Sequence, residues 1–393
     1  MFNKIDLHFP LHVDCGFVSV IDERSEEGWE SIRYFPITIP ALGRVQFSTP
    51  ADLVALSVDS DISDFSFLKS CDPGKSIKYI EFLYCNINDS DLANISSFIQ
   101  LVGLNLARTA IRGNGFDDLV RLERLRSIDL SNSGATNEIF KSISCFKYLT
   151  NLNLDFTDVS DIGVEKIVSN KDLEILGLDH TNISDRALDS ICRLDKLKVL
   201  RIGGENISGR GISGLTRLKN LVCLSLGRSS INNSSLIHVG EINSLQTLDL
   251  GATKIGRQGI DYIANLGELR SLNLFNTPVS DSDLVPLAGF RSLKKLNIGS
   301  TQITDTTIRN LSNIPVLEEI WMEDCRGVTD NIAQCISKMK NIRVICVSGT
   351  GISERGIRQI CENPSLREIY TTNNISDLTK SQLRLLRPDC VIC

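Results

Sequence analysis

Residues 320–330 read IWMEDCRGVTD, which places an aromatic ring, two adjacent carboxylates and a thiol within a few positions. Carboxylate with thiolate is a donor set for metal binding, and a thiol beside acid/base groups is a setting for covalent catalysis. Three other clusters carry comparable types. His8 and His12 stand four apart with Cys15 nearby, Cys390 and Cys393 have dithiol spacing, and Ser131, Asp155, Asp179 and His180 supply the groups of a hydrolytic triad.

Spacing argues against each chemistry. Pro10 lies between His8 and His12 and opposes the helix that would bring them onto one face; in a strand they would stand about 13 Å apart, too far for one metal ion. No helix start follows Cys390, so the setting that stabilises a redox thiolate is missing and the pair reads as part of a terminal cap. Ser131 and His180 fall two strands apart in the repeat register described below, about 10 Å, outside the reach a nucleophile and base require. Gly203, Gly204, Gly209 and Gly211 belong to turns and form neither a phosphate-cradling loop nor a dinucleotide motif after a strand. These readings give a non-enzyme with no cofactor and no metal.

The elements that position these residues follow from length and period. A chain of 393 residues with 42% hydrophobic and 23% charged residues is too long for one conventional core and too apolar for wholesale disorder. A net charge of −6 gives no global footprint for nucleic acid or an anionic membrane. The opening MFNKIDLHFPLHVDCG alternates apolar with polar and carries Asp6, unlike a secretory signal, and no run of 18 apolar residues occurs. With twelve cysteines in no disulfide rhythm, the expectation is a monomer in the cytoplasm, or an effector exported without a cleaved signal.

The pattern apolar-x-x-apolar-x-apolar starts at Leu53 and recurs fourteen times to Leu366, every 24 residues except for one interval of 25 between Leu317 and Ile342. In residues 173–196 the apolar positions are 1, 4, 6, 11, 16, 19 and 22, filled by Leu173, Leu176, Leu178, Ile183, Leu188, Ile191 and Leu194. Spacing of two suits a strand with one buried face, and spacing of three suits a short helix. Ser160-Asp161, Ser184-Asp185, Ser280-Asp281 and Thr304-Asp305 stand between them as helix-start signals. One strand-turn-helix unit cannot bury its apolar side alone, whereas stacked units share a continuous core.

These units resemble leucine-rich repeats, L-x-x-L-x-L-x-x-N/T/C-x-L, over more than 80% of the chain, and they are most similar to bacterial proteins built from 24-residue repeats. Thr109, Thr157, Thr181, Thr253, Thr277, Thr301 and Thr350 occupy the ladder position, where each hydroxyl is expected to bond backbone inside the turn. The resemblance implies an α/β fold, a right-handed solenoid with parallel strands on the concave face and short helices on the convex face. Residues 1–52 read as a β-rich N-terminal cap, with strands at 5–13, 17–21 and 32–39; residues 53–374 hold about fourteen repeats, and residues 375–393 form a C-terminal cap of helix and closing strand.

On the strand face, unit positions 3, 5 and 7 are expected to point outward, with 2 and 8 at the margins. Most position-5 residues are small or polar, so Trp321 and Tyr370 stand out, as do Phe275 at position 7 and Phe156 at position 8. Glu323 and Asp324 beside Trp321, with Asp179 and His180, complete the candidate partner-binding set, and Lys294 and Lys295 are expected opposite Glu318 and Glu319. The expected function is non-catalytic protein recognition or scaffolding, without nucleic acid or membrane. An alternative comes from Cys325 followed by Val328-Thr329-Asp330, which is similar to cysteine-containing repeats of F-box adaptors of ubiquitin ligases and of bacterial effectors that imitate them. A second alternative is a hydrolase-like enzyme using the concave face.

Overall fold

The computed structural model describes residues 3–9, 11, 15–21, 34–42, 44–49, 54–72, 76–82, 84–371 and 375–393. It divides into two compact units, Met1–Arg201 and Ile202–Cys393.

Among the described residues the first unit opens with strands β1 (Asn3–His8), β2 (Gly16–Ile21), β3 (Tyr34–Pro40) and β4 (Arg44–Thr49). β1 pairs antiparallel with β4, and β2 pairs antiparallel with both β3 and β5 (Val54–Val58), the strand of the first repeat. The expected strand over 5–13 is shorter than its alternation implies: it stops at His8, and Leu11 is 74% exposed. Pro10 in the sequence has no N–H to offer a ladder. Val13 and His12 lie outside the described residues. β4 was not anticipated. Parallel pairing then runs from β5 through β6 (Ile77–Glu81), β7 (Gly103–Asn105), β8 (Ser127–Asp129), β9 (Asn151–Asn153) and β10 (Ile175–Gly177) to β11 (Val199–Arg201).

The second unit repeats this pattern. β12 (Cys223–Ser225), β13 (Thr247–Asp249), β14 (Ser271–Asn273), β15 (Lys295–Asn297), β16 (Glu319–Trp321), β17 (Val344–Cys346) and β18 (Glu368–Tyr370) pair in parallel, and β19 (Val391–Ile392) adds to β18 after a helix at Asp377–Leu386. From β12 to β18 the paired residues are 24 apart except across β16 and β17, where Glu319 meets Val344; β19 joins β18 at an offset of 23, with Glu368 opposite Val391. The extra residue lies in the turn after β16, since Thr304 bridges Gly327 where the equivalent Ser280 bridges Gln302.

The apolar positions form the core: Leu173, Leu176, Leu178, Ile183, Leu188, Ile191 and Leu194 are all at most 2% exposed. The helix segments include short α-helices such as Asp185–Ile191 and Asp305–Leu311 and 3₁₀ turns such as Val285–Gly289. Ser184 and Thr304 cap their helices by accepting the N–H of Arg186 and Thr306, whereas Ser160 accepts no such bond.

Three hydrogen-bond ladders tie repeat to repeat or close each turn. At position 9, Thr109, Thr157, Thr253, Thr277 and Thr301 each donate to the carbonyl three residues earlier at 2.5–2.7 Å. After position 11 the acidic residue reaches across to the next repeat. Asp161 accepts the N–H and hydroxyl of Ser184, Asp281 those of Thr304, Asp305 those of Thr329, and Asp330 those of Ser353. At position 8 the backbone is left-handed in repeat after repeat: Tyr84, Arg108, Asn132, Phe156 and His180 in the first unit, and Arg228, Ala252, Asn276, Ser300 and Asp324 in the second, have φ between 52° and 63°. This turn aims the position-8 N–H at the next repeat, as in Phe156 to the Asp179 carbonyl at 2.7 Å and Ser300 to the Glu323 carbonyl at 2.7 Å.

Candidate recognition surface

Position 5 carries more than display. Where it is Asn or Asp, the side-chain oxygen accepts the N–H two residues on: Asn105 from Ala107, Asp129 from Ser131, Asn153 from Asp155, Asp249 from Gly251, Asn273 from Phe275 and Asn297 from Gly299, all at 2.8–3.1 Å. These groups close the turn after the strand. Asn105 and Asp129 are only 8% exposed, so the expectation that this column faces outward as a polar recognition surface is corrected for them. A short amide or carboxylate on a strand satisfies its own backbone before it meets a partner.

The last three repeat strands break this rule, because Trp321, Cys346 and Tyr370 stand in register at position 5 of β16, β17 and β18. None has the short oxygen acceptor that makes the turn bond. Cys346 is 2% exposed, and burial raises its thiol above the ordinary value, with Glu323 and Asp324 adding to the rise. Over it the Trp321 and Tyr370 rings come to 4.9 Å between centroids at 33°. Tyr370 donates its hydroxyl to Glu368 at 2.8 Å, which raises its pKa and fixes the ring's far edge.

Phe275 follows β14, two strands from Trp321 on the side away from Tyr370, and Gly299 follows the strand between them. A Cβ at Gly299 would stand 2.8 Å from Glu323 Cγ and 3.1 Å from Phe275 Cδ2, so this glycine lets both side chains lie across the sheet. Trp321 and Glu323 with Asn273, Asn297, Lys295 and Glu319 line a shallow cavity of about 480 Å³. Lys295 pairs with Glu319 at 2.8 Å and Lys294 with Glu318 at 2.7 Å, matching the expected opposition of charge. Asp324 is exposed on its left-handed turn. Cys325 is fully buried; burial keeps its thiol protonated, and it donates to the Ile298 carbonyl of the preceding repeat at 3.2 Å. The opening stretch therefore splits, with Trp321, Glu323 and Asp324 reaching the surface and Ile320, Met322, Cys325 and Val328 in the core.

In the first unit Phe156, 52% exposed, stacks on His180 with centroids 4.5 Å apart and planes 18° from parallel. The Asp179 N–H donates to Asp155 at 2.8 Å, and Asp155 also pairs with Arg201 Nε at 2.7 Å. Burial raises the Asp155 pKa despite the opposing pull of Arg201. Arg201 lies over Gly177, where a Cβ would come within 2.5 Å of its guanidinium. Sequence reasoning missed this pair, although Gly177 between Asp155 and Arg201 was visible as the one residue in the column without a side chain. It also missed Tyr84 at position 8, 59% exposed, with the Arg108 guanidinium 5.1 Å above its ring. The His180 ring lies flat on Phe156 and makes no hydrogen bond to Ser131.

Among the described residues no three or more His, Cys, Asp or Glu side chains gather as metal ligands, and no helix is long and apolar enough to cross a membrane. Cys390, just before the final strand, is buried and Cys393 is exposed; both are free thiols. The Cys393 carbonyl accepts the Thr371 N–H at 3.0 Å, which extends the ladder between β18 and β19 by one bond.

No family model matches the chain, and no curated protein matches it. Solved structures do. An internalin from Listeria monocytogenes, 20% identical, superposes with a TM-score of 0.58 over 82% of this chain and 87% of its own. An LRR protein of Leptospira interrogans, 18% identical, gives 0.54 over 86% and 88%. A chain from the yeast Rad7 and Elc1 complex, 16% identical, gives 0.54 over 78% and 83%. With the repeat register, the ladders and these likenesses together, the chain is built as a leucine-rich-repeat solenoid of parallel strands backed by short helices.

Proposed function

We propose that this protein is a non-catalytic recognition module that captures a partner protein on the strand face of its repeats. The observation that carries the reading is the Trp321–Tyr370 ring pair, which replaces the turn-closing Asn or Asp of position 5 with large aromatics at the surface. Aromatic side chains on rigid backbone supply most of the binding energy at protein interfaces, because they bury large area with little conformational entropy to lose. Phe275, Glu323 and Asp324 surround the pair and belong to the same contact, while Phe156, Asp179 and His180 form a separate contact in the first unit. Residues 1–52 serve as the N-terminal cap, residues 53–374 as the repeats and residues 375–393 as the C-terminal cap. The fold's recurrence in a solved complex of two proteins, Rad7 and Elc1, agrees with this use.

The test is proximity labelling or pulldown from the native cell with the parent protein and with Trp321→Ala. Loss of an interface aromatic costs about 2 kcal/mol or more, so the captured partner should fall by roughly tenfold or greater. Unaltered capture removes Trp321 from the site. Recovery of the ligase subunit that binds F-boxes would assign the module to ubiquitin-ligase substrate recognition, the use that Cys325, Val328, Thr329 and Asp330 point toward.

A further inference from the structure

The cavity beside Trp321 carries a charge imbalance. Three ionised side chains line it: Lys295, Glu319 and Glu323. Lys295 and Glu319 neutralise each other at 2.8 Å. Among the described residues Glu323 has neither an ion pair nor a hydrogen bond to its carboxylate, and its stem lies across Gly299 toward Phe275. The cavity thus presents one uncompensated negative charge next to the indole face, with Phe275 across Gly299 and Tyr370 supporting the indole from behind.

We infer that this cavity takes an arginine side chain of the partner protein, its guanidinium stacked on Trp321 and paired with Glu323. The inference rests on the recognition reading above and specifies its partner chemistry. A planar cation satisfies both walls at once: indole is the strongest of the aromatic faces for a cation, and a guanidinium bonds a carboxylate through two parallel N–H groups. An ammonium would satisfy the carboxylate as a point charge and stack poorly. An anionic or purely apolar side chain would leave Glu323 facing it without compensation, at a cost in desolvation. The cavity's volume of about 480 Å³ accommodates one side chain and its flanking backbone.

The chain holds two tryptophans, Trp29 and Trp321, so a Trp29→Phe background makes Trp321 the sole indole reporter. Its emission is titrated with a short blocked peptide carrying one arginine, and with matched peptides carrying lysine, glutamine or glutamate. The arginine peptide should give a saturable change, at least about threefold weaker for lysine and absent for glutamine and glutamate. Glu323→Gln should weaken the arginine response by about tenfold, as loss of a charge-assisted hydrogen bond requires. Glu205→Gln removes the same charge at an exposed site elsewhere in the second unit and should leave the response unchanged. Circular dichroism and Tm of the Glu323→Gln protein, matching the parent, exclude misfolding as the cause. Equal responses to all four peptides, equal loss in both Gln variants, or a lysine response matching arginine would overturn the inference. Partner capture that depends on Trp321 with no response to the arginine peptide overturns this inference alone; capture indifferent to Trp321 overturns the recognition reading beneath it.

Discussion

Trp321 and Tyr370 stand on strands separated by a third, yet their ring centroids lie 4.9 Å apart, because the residue between them, Cys346, is buried at 2% exposure and leaves the rings to meet above it. A ring pair of this geometry contributes about 0.5–1.5 kcal/mol beyond the area it covers. A double-mutant cycle of Trp321→Leu and Tyr370→Leu, followed by chemical denaturation, should return a coupling energy in that range. A coupling indistinguishable from zero would mean that the rings are placed independently by their strands.

The ladder at position 9 makes a stability prediction that is separate from binding. Thr253, 3% exposed, donates to the Leu250 carbonyl at 2.5 Å. Thr253→Val preserves shape and removes the donor, so it should destabilise by about 1–2 kcal/mol and lower Tm by a few degrees. No change in Tm would show that the carbonyl is satisfied in another way.

Asp281 ties its repeat to the next, and its titration is readable as stability. Burial works to raise its pKa, but hydrogen bonds from the Thr304 and Thr307 hydroxyls and N–H groups together prevail and hold it below its usual 3.8. A folded-state value below the unfolded one means that the native protein binds the proton less readily. The contribution is complete above the ordinary carboxylate value and is lost as pH falls through the depressed one. Asp281→Asn should therefore cost stability at about pH 6 and progressively less in acid, and denaturant midpoints across that range measure the convergence.

The Asp155–Arg201 pair should respond asymmetrically. Asp155 is raised by burial, so its charge is a burden that Arg201 only partly offsets. Arg201→Ala leaves that carboxylate nearly buried without a cation and should destabilise by about 2 kcal/mol or more. Asp155→Asn keeps an oxygen for the Asp179 N–H and removes the charge, so its cost should stay below about 1 kcal/mol. Equal losses from the two variants, measured by urea unfolding, would contradict this ordering.

The period of 24 carried the fold because each unit repeats the same burial problem, and spacing of two and three then marks strand and helix whatever the individual residues are. The single unit of 25 was equally legible, down to the turn that absorbs the extra residue. Less visible were the groups whose work depends on a neighbour 24 residues away. Asp161 and Asp281 read as caps of their own helices, but their oxygens serve the following repeat, a relation no local pattern encodes. Asn105 and Asp129 read as outward polar groups because alternation fixes the face of a residue and not whether its own backbone claims it. The separation of Trp321 and Phe275 by two strand spacings was legible; the closure of Trp321 onto Tyr370 was not, since it depends on the size of the residue between them.

The left-handed turn at position 8 has a consequence for the chain's tolerance of change. Side chains there sit in a conformation that costs an L-residue about 1–2 kcal/mol relative to the right-handed one and that glycine adopts freely. Ten described positions nonetheless hold residues other than glycine, from Ala252 to Phe156 and Tyr84. The backbone bond to the next repeat, not the identity of the side chain, sets the turn. Position 8 is accordingly a column in which one backbone accepts alanine, arginine, asparagine or phenylalanine alike, an evenly spaced row of interchangeable sockets along the edge of each unit.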